Sequence, residues 1–228
     1  MDFQQKFIEA CRYGHFNVVK LLLGDYRVNP ANINNLAIRL ASQNGHYNVV
    51  KLLLEDNRVN PADDNNSAIQ WASKKGHYNV VKLLLGDNSI NPADDNNWAI
   101  QLASRYGHYN VVKLLSKDNR VNPADDYNNA IRWASEFGHY NVVKLLLGDK
   151  KVINSFNIDI INYIKKYCSK EINDFYKNYF NLYKNYNIFL LINIICDTII
   201  KLSINYPLPK QLKNYILHYY VYNYRKNL

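Results

Sequence analysis

The sequence has few of the residues that build disulfide frameworks. Its three cysteines, Cys11, Cys168 and Cys196, lie far apart and show no paired spacing. This argues against a disulfide framework and favours a reducing, intracellular compartment. We therefore expect the protein in the cytoplasm.

Long apolar runs and a secretory signal are also missing. The N-terminus has no basic segment followed by an apolar stretch. The most apolar segment, residues 188–202, is interrupted by Asn193, Asp197 and Lys201. It falls short of the ~20 apolar residues that cross a bilayer. We interpret it as a buried helix and expect no membrane attachment.

The sequence motifs of common enzyme classes are absent as well. There is no Gly-rich phosphate loop, no activated nucleophile and no evident acid–base pair. We expect neither catalysis nor a cofactor.

The positive charge is concentrated at one end of the chain. Residues 1–149 carry 16 Lys and Arg against 15 Asp and Glu, whereas residues 150–228 carry 12 against 4. The first part therefore contributes +1 and the second +8 to the net charge of +9. This asymmetry predicts two domains, 1–149 and 150–228, with a boundary near Asp149.

The most informative feature of the sequence is a repeat. The decapeptide GHYNVVKLLL occurs at residues 45–54, 76–85 and 138–147, and close variants begin at Gly14 and Gly107. The five Gly-His pairs follow one another at a strict interval of 31 residues. A fixed period of this size indicates units that are stacked in space.

Each unit has the pattern of two short helices. In residues 63–93, apolar residues recur at helical spacing before and after Gly76. Gly76 lies where the end of a helix requires a positive φ, and His77 and Asn79 suit the start of the next helix. A loop rich in Asn, Asp and Pro follows. One pair cannot bury its apolar face alone, so the fold class we predict is an all-α solenoid.

The segment SAIQWASKKGHYNVVKLLL resembles the ankyrin-repeat pattern T-P-L-H-x-A-A-x-x-G-H-x-x-V-V-K-L-L-L. Ile69, Ala72, Gly76, His77 and the Val and Leu residues that follow occupy matching positions. The loop carries ADDNN where the family has glycine, and the unit is two residues shorter than the usual ~33. This variant is similar to ankyrin proteins of giant DNA viruses of amoebae. The resemblance covers about five units in residues 1–149, with the first as a cap.

The repeated histidines could be metal ligands or structural residues. Equivalent atoms of stacked helices lie ~8–10 Å apart, and zinc requires ligands within ~2.3 Å. One histidine per unit cannot meet that requirement, so we expect no metal site and predict an imidazole bonded to the backbone at the turn. The paired aspartates of the loops could attract a cation or a basic partner. We expect them to hold turns through bonds to the backbone.

A few positions vary among otherwise constant units. In ankyrin proteins these positions line a concave groove that binds partners, and their aromatic and Arg content is typical of interface hot spots. We call them the concave row: Arg12, Tyr13, Gln43, Asn44, Lys74, Lys75, Trp98, Arg105, Tyr106, Glu136 and Phe137. Trp71 and Trp133 alternate with Leu at their own position, so we assign them to packing between layers.

The last 79 residues are rich in Asn, Lys, Ile and Tyr, and they favour a small helical domain or degenerate repeats. Within them, LPKQLKNYILHYY at residues 208–220 resembles an F-box core, which would bind a Skp1-type adaptor. The matching residues are Leu208, Pro209, Leu212, Ile216, Leu217 and Tyr219. An ordinary amphipathic helix is the alternative.

The resemblance implies a non-enzymatic scaffold that binds a protein, and a host protein if the source is viral. The alternative function is a substrate adaptor that recruits a cullin–Skp1 ubiquitin ligase. A third possibility, nucleic-acid binding by the basic tail, is disfavoured because its lysines are dispersed. We expect the protein to be a monomer.

Overall fold

The computed structural model describes residues 2–155 and 166–167. Over these residues the chain forms eleven α-helices and no strand, which confirms the predicted all-α solenoid. The helices are α1 Phe3–Tyr13, α2 Phe16–Leu23, α3 Asn32–Gln43, α4 Tyr47–Leu54, α5 Asp63–Lys75, α6 Tyr78–Leu85, α7 Asp94–Arg105, α8 Tyr109–Leu115, α9 Asp125–Glu136, α10 Tyr140–Leu147 and α11 Lys150–Asn154.

The glycine of each Gly-His pair turns the chain between the two helices of a unit. The five glycines have φ between 72° and 77°, the left-handed conformation that glycine adopts without steric cost. The prediction for Gly76 is therefore confirmed. His77 and Asn79 lie at the start of the second helix as predicted, with His77 at the N-cap position. His77 precedes α6 but makes no capping bond, because its ring contacts the neighbouring unit instead.

Small residues let the first helices of neighbouring units approach closely. Odd-numbered helices from α1 to α9 pack on one another in sequence, and the second helices lie in a parallel row beside them. Each later first helix buries two alanines, such as Ala68 and Ala72, with no exposed surface. The second helices add buried Val and Leu side chains, such as Val81 and Leu84. The apolar face of each unit is thus covered by its neighbours.

The ADDNN loops form a left-handed turn at the start of each later first helix. In α5 the residues Asp64, Asn65 and Asn66 have φ of 54°, 54° and 57°. Asn and Asp tolerate this conformation better than other non-glycine residues.

The first unit begins directly with its first helix, and its role as a cap of the array stays a prediction. Asp2 caps α1 by accepting a hydrogen bond from the Gln5 N–H. Cys11 is fully buried in this unit. Burial raises the pKa of the Cys11 thiol to about 12, so the thiol stays protonated and unreactive near neutral pH.

The contacts that join the units continue a few residues past Asp149. The Lys151 ammonium donates to the Val121 carbonyl at 2.6 Å, as Arg120 Nη1 donates to the Ile90 carbonyl at 2.9 Å one unit earlier. Val152 is fully buried, like Val121. The predicted boundary near Asp149 stays a prediction, since most of residues 150–228 lie outside the described residues.

Candidate functional site

The histidines join each unit to the one before it. His46, His77, His108 and His139 each place Nε2 2.8–3.0 Å from a carbonyl oxygen 34 residues earlier in the chain. A carbonyl only accepts, so Nε2 carries the proton. The predicted bond between imidazole and backbone is confirmed, and the carbonyl belongs to the neighbouring unit. Burial lowers the pKa of His77, and this effect outweighs the bond to the Gln43 carbonyl, which raises the pKa.

The glycines of the Gly-His pairs provide the space for these rings. A Cβ at Gly76 would lie 2.5 Å from His108 Nδ1, far closer than real Cβ atoms approach. Gly138 has a similar φ of 72°, but among the described residues no atom lies within 4 Å of that position. Within the described residues no group of three His, Cys, Asp or Glu side chains could hold a metal ion.

A buried asparagine forms a second joint between units. Asn66 is 5% exposed. Its side chain donates to the Asp94 carboxylate at 2.8 Å and accepts from the Asn91 N–H at 2.8 Å. Asn35 and Asn97 make the same two bonds one unit away on either side. The loop aspartates thus bind the neighbouring unit, a contact that the sequence did not indicate. Asp94 also accepts from the Asp95 N–H within its own loop, which is the kind of bond that the sequence predicted.

An arginine forms the third joint. Arg58 donates to both carboxylate oxygens of Asp56 at 2.9 and 2.6 Å, and its Nη2 also donates to the Leu23 carbonyl at 3.0 Å. The hydrogen bond from Arg58 lowers the pKa of Asp56. Arg120 repeats this arrangement with Asp118. The three joints explain why the His, Asn and Arg positions are nearly constant among the units.

The concave row lies at the ends of the first helices, and its side chains are not needed for these joints. Its main chain does take part, since the acceptors of the four histidine bonds are the carbonyls of Arg12, Gln43, Lys74 and Arg105. Its central members meet in one cluster with two tryptophans. We call this the aromatic–cation cluster, and it consists of Trp71, Lys74, Trp98, Arg105, Tyr106, Trp133 and Phe137.

Rings surround the two cations of the cluster. The Arg105 guanidinium carbon lies 5.3 Å from the Trp133 ring centre, 5.1 Å from that of Phe137 and 6.0 Å from that of Tyr106. Lys74 Nζ lies 4.5 Å from the Trp71 ring and 5.5 Å from the Tyr106 ring. Attraction between a cation and a ring face stabilises each contact.

The tryptophans of neighbouring units pack against each other. Trp98 and Trp133 meet edge to face with ring centres 5.4 Å apart. The packing between layers that the sequence predicted for Trp133 is therefore present. Trp71 and Trp133 remain half-buried and contact cations of the row. Their spacing in the sequence could have indicated that they lie beside the row. Each tryptophan lies three residues before a member of the row, and residues three apart are neighbours on a helix.

The other members of the row lie outside the cluster. Arg12, Tyr13, Gln43 and Asn44 line an open groove of about 440 Å³ together with Leu40 and His46. Lys75 is exposed beside Lys74, and Glu136 is exposed beside Phe137. Whether these residues bind a partner stays a prediction.

The F-box-like residues, from Leu208 to Tyr219, and the apolar segment 188–202 lie outside the described residues. Within the described part, no helix has the length and apolar character of a membrane span.

Comparison with known families agrees with the geometry of the units. The family model for ankyrin repeats in three copies matches residues 7–96 and residues 88–160. No curated protein shows significant similarity to the chain.

Proposed function

This chain belongs to the ankyrin-repeat family, whose model matches most of residues 7–160, and from that premise we propose that it is a non-enzymatic scaffold that captures one protein through the concave row. Ankyrin repeats indicate protein–protein interaction. The placement of the contact surface on the concave row, and of the partner in a host cytoplasm, are our own inferences.

The observation that carries the proposal is the contrast between constant and variable residues. The constant His, Asn and Arg side chains are used in joints between units. The variable side chains of the row make none of these joints, because the row enters the histidine joints only through main-chain carbonyls. These side chains bring aromatic and Arg groups together at the surface. Aromatic and Arg residues at the centre of a surface patch supply most of the energy of typical interfaces.

The exposure of the cluster is suited to binding. Tyr106 is 44% and Phe137 47% exposed, so a partner would remove apolar surface from water on contact. The cation–ring contacts already hold the long Lys74 and Arg105 side chains near the rings. Less conformational entropy is then lost when a partner binds.

The test removes two rings from the row and compares capture of partners. We expect Trp98→Ala combined with Tyr106→Ala to abolish retention of the proteins that the wild-type chain captures from a cell lysate. The matched control is Tyr78→Ala combined with Tyr109→Ala, which removes two rings of 39% and 37% exposure from the second helices. Circular dichroism checks that both variants fold. Unchanged capture by the first variant would refute the proposal.

The F-box-like sequence at residues 208–220 supports a second candidate, a substrate adaptor for a ubiquitin ligase. In that function the repeats select the target and the motif binds a Skp1-type protein. Co-purification with Skp1 that is lost on Ile216→Asp supports this candidate. Absence of Skp1 from the wild-type complex rejects it and leaves the scaffold proposal intact.

A further inference from the structure

We propose that the aromatic–cation cluster recognises an acidic segment of a protein, whose carboxylates pair with Lys74 and Arg105 while an apolar side chain packs on the rings. This inference rests on the proposed function and specifies the chemistry of the partner.

Arg105 is held in position but its hydrogen-bond donors are unused. Rings approach its guanidinium group, whereas no acceptor within the described residues receives a hydrogen bond from it. Arg27, Arg58 and Arg120, in contrast, each bind both oxygens of a carboxylate. A guanidinium has five N–H donors in a plane, and its geometry matches a carboxylate. Arg105 therefore has donors available for a bidentate contact with a carboxylate, the contact that the other three arginines already make within the chain.

Lys74 has the same property on the preceding unit. Its ammonium group contacts the rings of Trp71 and Tyr106, and in the described part of the chain no carboxylate pairs with it. Both cations lie within 6.0 Å of the Tyr106 ring. Equivalent atoms of neighbouring helices are ~10 Å apart, a distance that an extended chain covers in about three residues. One short segment can thus reach both cations and the ring between them.

The charge around the cluster favours an acidic protein segment over a nucleic acid. Residues 1–149 carry a net charge of only +1, so the repeat domain as a whole does not attract a polyanion. The two cations lie on successive units and do not converge on one point, as tight binding of a phosphate group requires. Single carboxylates at two separate positions satisfy this arrangement.

The half-buried position of both cations strengthens their attraction to an opposite charge. Side chains that are partly removed from water interact with an opposite charge more strongly than exposed ones. Binding of an acidic segment therefore depends on both cations and weakens at higher ionic strength.

The experiment selects ligands for the full-length chain from a phage library of random peptides. Such peptides are unphosphorylated, so any acidity comes from Asp and Glu. We expect the wild-type chain to select peptides enriched in Asp and Glu together with an aromatic or aliphatic residue. The variant Lys74→Gln with Arg105→Gln should lose the acidic enrichment. It should also bind the peptides chosen by the wild-type chain roughly tenfold more weakly.

The matched control is Lys51→Gln with Lys82→Gln, which removes the same charge from exposed positions of α4 and α6. It should select the same acidic peptides as the wild-type chain. Selected peptides without acidic enrichment, or acidic enrichment that survives in Lys74→Gln with Arg105→Gln, would overturn the inference.

Failure of the proposed function gives a different result. In that case the combined change Trp98→Ala and Tyr106→Ala leaves peptide selection unaffected. If that change abolishes selection while the charge variants do not alter its composition, the concave row binds but its preference for acidic partners is rejected. Arg105→Lys separates charge from geometry, because it keeps the cation and loses the planar donors. We expect its affinity to lie between those of the wild type and Arg105→Gln.

Discussion

Replacing Gly76 by alanine tests whether the fit of histidine over glycine joins one unit to the next. Two costs are expected. Gly76 has a φ of +76°, and a residue with a Cβ costs about 1–2 kcal/mol more than glycine in the left-handed region. The new Cβ would also lie 2.5–2.8 Å from three atoms of the His108 ring, so the ring must move.

Movement of His108 breaks its bond to the Lys74 carbonyl, now 2.9 Å from Nε2. A buried acceptor left without a donor costs about 1–3 kcal/mol. The free energy of unfolding of Gly76→Ala should therefore fall by about 2–5 kcal/mol. Gly138 is the matched control, since its φ is +72° and no atom of the described residues lies within 4 Å of its added Cβ. Gly138→Ala should bear only the conformational cost of about 1–2 kcal/mol.

The assay is urea denaturation of the full chain followed by far-ultraviolet circular dichroism. A second arm combines Gly76→Ala with His108→Ala. Without the ring there is no clash, so Gly76→Ala should then cost no more than Gly138→Ala does in the wild type. Equal losses for Gly76→Ala and Gly138→Ala in the wild-type background would refute the reasoning. It would also be refuted if Gly76→Ala still cost more than Gly138→Ala when His108 is absent.

Three further predictions concern the other joints. Asn66→Gly keeps the positive φ but removes two bonds between units, and should lower the free energy of unfolding by about 2–3 kcal/mol; Asn65→Gly, at an exposed position with φ of +54°, should be nearly neutral in the same urea titration. The pKa of His77 is lowered in the folded state, so its neutral form contributes stability that is complete above the unfolded pKa of about 6.5 and is lost as pH falls through the folded pKa. The free energy of unfolding between pH 7.5 and 5 should therefore depend less on pH in His77→Gln than in the wild type, and an unchanged slope would contradict this. Arg58→Ala should lower the thermal midpoint more than Arg27→Ala, by about 1 kcal/mol in free energy, because Arg58 also binds the Leu23 carbonyl of the preceding unit; equal midpoints would show that the inter-unit bond contributes nothing.

The sequence was sufficient to predict the paired helices and the turn between them. Periodic apolar residues and a glycine at fixed spacing are local signals, and local signals determine where Gly76 adopts a positive φ. The bond from imidazole to backbone was also predicted, although not the unit to which the carbonyl belongs.

The joints between units could not be predicted in detail, because they depend on which residues meet across a 31-residue period. Asn66 and Asp94 are 28 residues apart in sequence, and nothing local indicates that they share a hydrogen bond. The same reason explains Trp71. Its alternation with leucine indicated packing, and only the fold places Lys74 over its ring. The members of the concave row were chosen by variation among units, which identifies a surface but not its pairings.

The histidine joint uses the same residue type at all four junctions between the five units, so neighbouring units meet there through the same complementary contact. An in-frame duplication or loss of 31 residues would create a junction already present elsewhere in the molecule. The array can therefore lengthen or shorten by whole modules without a compensating change in its interior. Each such event would add or remove one unit of the concave row. The length of that surface could thus evolve separately from the stability of the array.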